Sequence, residues 1–182
     1  MAGRNRRSGG RDMVISIAVL IIPVLLIMAF FARPGDETVR PVDYQPVLAQ
    51  ARQAAPFEVL APSGLPPTWV ANRVRWAAVG ESWLNAEPAA ANSWQLGFVN
   101  PAGIYVAIQQ RDGSPMGFIS EVTRGAKPGD RVSAGGREWV RYSSSDGRTN
   151  SLVATVGPST AVVTGDVPFA ELEAFASTLS SS

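Results

Sequence analysis

The chain has 182 residues with no cysteine and no histidine, which removes thiolate chemistry, Ser-His-Asp and Cys-His nucleophile systems and the usual zinc ligand sets. Residues 33–182 carry 12 basic and 14 acidic side chains, so most of the chain lacks the basic footprint that a nucleic-acid partner requires. Carboxylate pairs, a Ser-Lys arrangement, or binding without catalysis are the chemistries left open.

Residues 1–12 form a basic tail, with Arg4, Arg6, Arg7 and Arg11 against Asp12, and the first ten are polar, Gly-rich and expected to be disordered. Met13–Ala32 then runs for twenty residues without a charge, and thirteen of them are Val, Ile, Leu or Phe. At about 1.5 Å per residue such a run spans roughly 30 Å, the hydrocarbon thickness of a bilayer, so a transmembrane helix is predicted over 13–32, kinked at Pro23. The basic flank predicts a single-pass plasma-membrane protein with a cytoplasmic N-terminus and its C-terminal domain outside. The lipid bilayer is then a partner through residues 13–32. Cleavage of the run as a secretory signal is the competing reading, but Phe30-Phe31-Ala32 lacks the small-x-small pattern of a cleavage site.

Residues 33–42, with two prolines among mixed charges, read as a linker, and 43–182 as one extracytoplasmic domain. Asp43 opens a helix that buries Val47, Leu48 and Ala51 and ends at Pro56. Phe57–Leu60 reads as a short strand. In Trp69–Trp76 the alternation sets Val70, Val74 and Trp76 on one side, with Trp69, Arg73 and Arg75 on the other, the pattern of a half-buried antiparallel strand. Gly80–Asn92, rich in alanine, reads as a mobile loop. Trp94, Leu96 and Phe98 alternate before Asn100-Pro101-Ala102-Gly103, and Ile104, Val106 and Ile108 alternate after it, which predicts a hairpin.

Ser114-Pro115 opens a short helix through Met116, Ile119 and Val122. GAKPGD at 125–130 reads as a turn; it holds the single lysine but opens no helix, so it is no phosphate loop. Three strands are predicted at Arg137–Tyr142, Asn150–Val156 and Thr160–Thr164. A last helix from Pro168 carries Phe169, Leu172, Phe175 and Leu179. The expected fold class is α+β: one N-terminal transmembrane helix, then an antiparallel sheet packed with about three helices.

Further features run through nearly the whole chain: Arg11-Asp12-Met13, Ser16 and Pro23, Val42-Asp43-Tyr44, Leu65-Pro66 with Trp69, Trp94 with Gly97 and Pro101, and Tyr105 with Gln109. Gly136 with Trp139, Leu152-Val153, Val162-Val163-Thr164-Gly165 and Leu172 to Leu179 continue them. On these residues the chain resembles an actinobacterial family of single-pass membrane proteins, domain of unknown function 4245, departing from it at Asn100, where threonine is expected. The resemblance implies an extracytoplasmic domain at the plasma membrane and no established activity, and it assigns no functional residue.

Candidate site residues are few. Trp69, Arg73 and Arg75, placed on one strand face, suit an anionic envelope polymer or a sugar ring, and equally suit a solvated or helix-covered face. Trp83, in the alanine-rich loop, suits a contact with a partner protein or a lipid headgroup, or a return to the core. No catalytic, cofactor-binding or metal-ligating residue is expected. The expected function is a membrane-anchored binding or accessory module for envelope components or partner membrane proteins. The alternative is a cell-wall hydrolase drawing on Asp112, Glu121, Glu138, Asp146 or Asp166, which needs two carboxylates about 5–9.5 Å apart. Ser63 or Ser114 with Lys127 has no motif behind it.

Overall fold

Seven antiparallel strands form one sheet, built from two meanders joined edge to edge. The structure, a computed structural model, describes residues 10–31 and 40–181, so the expectations for residues 1–9 and for most of the linker lie outside it. The chain divides into Met1–Thr38 and Val39–Ser182. The first unit contains α1, Gly10–Phe31, with Pro23 inside it. Apolar side chains along it are exposed, Met13, Leu20 and Leu26 among them.

Among the described residues no helix is long and apolar enough to cross a membrane, and the transmembrane helix expected over 13–32 is corrected on that finding.

The second unit is α+β. Its elements are α2 (Gln45–Ala54), β1 (Ala61–Pro62), β2 (Val70–Ala77), β3 (Ser93–Val99), β4 (Tyr105–Asp112), α3 (Pro115–Thr123), β5 (Lys127–Ala134), β6 (Arg137–Ser143), β7 (Asn150–Val156), β8 (Ser159–Gly165), α4 (Phe169–Ser177) and β9 (Leu179–Ser180). The large sheet has the order β2-β3-β4-β8-β7-β6-β5, and β1 pairs separately with β9. Helix α3 carries the chain from β4, in the middle of the sheet, to β5 at its far edge.

Alternation along the strands sends Trp94, Leu96, Phe98, Val106, Ile108, Leu152, Val163 and Trp139 to one face, where they form the main core with Leu48 of α2 and Leu172 and Phe175 of α4. On the opposite face Phe118 of α3 packs on Val153 and Val162. Arg111 fixes α3 from the sheet side, paired with Glu121 at 2.8 Å and lying 4.7 Å from the Phe118 ring centroid.

Proline sets the helix starts. Pro46 lies in the first turn of α2, Pro115 opens α3 and Pro168 precedes α4. Arg124 ends α3 in the left-handed conformation, φ 57°.

Two local expectations are corrected. Phe57–Leu60 is not a strand: side chains take its backbone groups, with Leu60 N–H donating to Gln110 Oε1 (2.6 Å), Gln110 Nε2 to the Glu58 carbonyl (3.0 Å) and Trp94 Nε1 to the Leu60 carbonyl (2.9 Å). Phe57, Val59 and Leu60 are therefore buried without a strand partner. Residues 127–130 are not a turn but the start of β5, an exposed edge strand with a register irregularity between Pro128 and Arg131.

Candidate functional site

Strand β2 carries the sequence-predicted residues, and its geometry separates them. The register pairs Ala71 with Phe98, then Arg73 with Gly97, Val74 with Leu96 and Arg75 with Gln95, so Asn72 is an extra residue in a bulge. An extra residue reverses the side-chain parity of everything before it. Arg73 and Arg75 therefore stand on the face opposite the main core, whereas Trp69, two residues before Ala71, falls on the core side. There it stacks on Phe175 with ring centroids 5.6 Å apart. The expectation that Trp69 shares a face with the two arginines is corrected: it is partly buried core.

Trp83 and Arg75 come together. The Arg75 guanidinium donates from Nη1 to the Trp83 carbonyl and lies 5.8 Å from the indole centroid. Trp83 is buried against Ala77 and Ala89. The loop between β2 and β3 is thus an ordered structure. Gly80 N–H donates to the Ala89 carbonyl (2.8 Å), Ala89 N–H to that of Glu81 (2.7 Å) and Trp83 N–H to that of Glu87 (2.8 Å), around a short 3-10 turn at Leu84–Ala86. The Asn92 side chain accepts from Val79 N–H and donates to Asp112, fastening the loop to β4. The small alanines that suggest mobility in the sequence are what let the indole sit down.

Beside the arginines lie residues that the sequence did not mark. Gln95 stands opposite Arg75, and Tyr105 occupies the diagonal position over Gly97. A Cβ on Gly97 would overlap the Tyr105 ring, so glycine is what admits the ring to the sheet surface. That glycine inside a strand was the available signal. Burial pushes the Tyr105 phenol above its ordinary value of 10.0, and the nearby Arg73 charge and the Gln95 side chain oppose the shift in smaller measure.

The buried side-chain polar atoms left without a hydrogen-bond partner among the described residues are Asn72 Oδ1, Trp83 Nε1, Gln95 Oε1 and the Tyr105 hydroxyl. All belong to β2, β3, the loop between them, or the start of β4. Buried polar groups are ordinarily satisfied, so four without a partner on neighbouring elements set this corner apart from the rest of the sheet. An open cavity of about 420 Å³ runs along this corner, lined by Val42, Asn72, Arg73, Val74, Arg75 and Leu84.

The charges of β2 differ from those elsewhere on the sheet. Arg111 pairs with Glu121, Arg131 with Glu138 and Arg141 with Glu173. Arg73 and Arg75 have no carboxylate partner among the described residues.

The carboxylates of the hydrolase alternative are each engaged, and none with another. Asp112 accepts from the Asn92 backbone and side chain, Glu121 and Glu138 hold arginines, Asp146 accepts from the Ser144 hydroxyl and Arg148 N–H, and Asp166 accepts from the Thr149 hydroxyl. Those contacts, led by the Ser144 hydroxyl, hold the Asp146 carboxyl below its usual range. The Ser63 hydroxyl donates to the Thr178 carbonyl, and Ser114 sits at the start of α3. No group of three or more acidic side chains among the described residues is arranged to hold a metal ion.

A family model described as protein of unknown function (DUF4245) matches residues 6–179. The chain belongs to that family. Among curated proteins, none matches it.

Proposed function

We propose that the chain is a non-catalytic, extracytoplasmic binding module of the plasma membrane. It engages an anionic partner, in the envelope or on another membrane protein, through Arg73 and Arg75. The observation that carries this reading is the pair of arginines on one strand face, free of carboxylates among the described residues and bordering an open cavity. Guanidinium groups bind carboxylates and phosphates by paired donors, and two of them two residues apart present a repeat to a repeating anion. The exposed apolar side chains of α1 and the basic residues before it support lipid contact at the membrane surface. Fifteen arginines against a single lysine fit an actinobacterial genome.

The test is retention of the full chain, in nonionic detergent, on isolated cell envelope. Wild-type protein should bind at low salt and elute as salt rises, while the double substitution Arg73→Gln, Arg75→Gln should lower retention about tenfold. Equal retention of the double variant at every salt concentration overturns the reading. Release of sugar or peptide fragments by the wild type, lost on replacing a single Asp or Glu, would establish the hydrolase in its place.

A further inference from the structure

The large sheet has two free edges, β2 and β5. The β5 edge presents Lys127, Pro128, Asp130 and Arg131, a composition that prevents another chain from pairing with it. The β2 edge has neither proline nor lysine, its bulge at Asn72 is confined to its first half, and it already accepts a backbone neighbour there, where Val42 N–H donates to the Ala71 carbonyl at 2.8 Å. The chain then turns away into α2. Beyond that point the edge borders the cavity of about 420 Å³, with Val42 and Leu84 as apolar walls. Asn72 Oδ1, in the cavity lining, is a buried acceptor with no donor among the described residues.

We propose that the β2 edge takes an acidic peptide in extended conformation as an additional strand. The peptide backbone continues along β2 from the place where Val42 leaves it, and a peptide N–H donates to Asn72 Oδ1. Arg73 and Arg75 stand two residues apart on one face, and carboxylates two residues apart on a neighbouring strand fall beside them, because strand side chains repeat every second residue. A polysaccharide or a phosphate chain can meet the charges but brings no row of backbone N–H donors for the edge. The proposal rests on the anion-binding reading of the two arginines and adds to it the class of the partner.

The experiment titrates the full chain in nonionic detergent with a fluorescein-labelled peptide of alternating Glu and Val, about eight residues long. Comparison probes are its Gln-Val counterpart, the acidic peptide N-methylated at alternate backbone positions, and polyphosphate. The acidic peptide should bind about tenfold tighter than either peptide control, and Arg73→Gln should weaken it about fivefold. Backbone amides of residues 73–75 should exchange hydrogen more slowly in its presence. Equal binding of the N-methylated peptide, or unchanged exchange, overturns strand addition and leaves anion binding standing. Binding of polyphosphate without binding of the acidic peptide does the same. No binding of either overturns both.

Discussion

Against the sheet face that carries Trp94, Trp139 and Leu152, helices α2 and α4 set Leu48, Leu172 and Phe175, and both buried indoles there find a carbonyl, Leu60 for Trp94 and Ala134 for Trp139. On the opposite face α3 covers Val153 and Val162, while around β2 and β3 the buried polar atoms go unpaired and two arginines stand without carboxylates among the described residues. On the first face the two fully buried indoles each have their N–H donated to a carbonyl. The second leaves part of its potential for hydrogen bonding and charge pairing unused. The difference separates the face that holds the fold from the one on which the proposed binding rests.

Breaking the first face should have the largest effect. Trp139 and Phe175 are almost fully buried, and Trp139→Ala or Phe175→Ala should each cost about 3–5 kcal/mol through lost transfer energy and the cavity left behind. Chemical denaturation of the two variants measures it, and a loss under about 1 kcal/mol in both would remove the contrast between the faces. On the second face, Gly97→Ala forces the Tyr105 ring off the sheet. The overpacking should cost about 1–2 kcal/mol, relieved when Tyr105→Ala is added, and the displaced phenol should titrate closer to 10.0.

The smallest effect has the opposite sign. Tyr105→Phe deletes a buried hydroxyl that meets no hydrogen-bond geometry with any described residue, Gln95 included, and should stabilise the protein by about 1 kcal/mol. It should also change the alkaline limb. The folded Tyr105 phenol holds its proton above the ordinary value of 10.0, so its contribution is fully present below pH 10.0 and is lost as pH rises through the folded value. Denaturation midpoints between neutral pH and the alkaline limb should fall less steeply in Tyr105→Phe than in the wild type.

The contrast also explains which parts of the molecule were legible in the sequence. Where one face is buried and regular, as in the hairpin around Asn100–Gly103 or the helices opened by Pro115 and Pro168, periodicity and turn chemistry suffice. β5 escaped because it is an exposed edge with Pro128 and Gly129 and has no burial alternation to read. The bulge at Asn72 has no sequence signature, and it moved Trp69 to the core side while leaving Arg73 and Arg75 where alternation had set them. Tyr105 and Gln95 were missed because polar residues on a strand look like a solvated face until their neighbours are known. Trp83 was ambiguous for a different reason: its partners Ala77 and Ala89 lie on either side of it in the chain, and only the closed loop brings them to the indole.

The central seam of the sheet, between β4 and β8, joins residues 47 to 59 positions apart in the chain, from Asp112 with Ser159 to Val106 with Gly165. Each meander around it closes through nearby contacts, as where β7 returns into β8 at Val156 and Ser159. The middle of the sheet, where Ile108 meets Val163, is therefore its most expensive joint to close in chain entropy. In refolding, the two halves should zip from their own turns and wait for each other. A substitution at an outer hairpin should therefore chiefly slow folding, whereas one at the seam, formed last, should divide its effect between slower folding and faster unfolding.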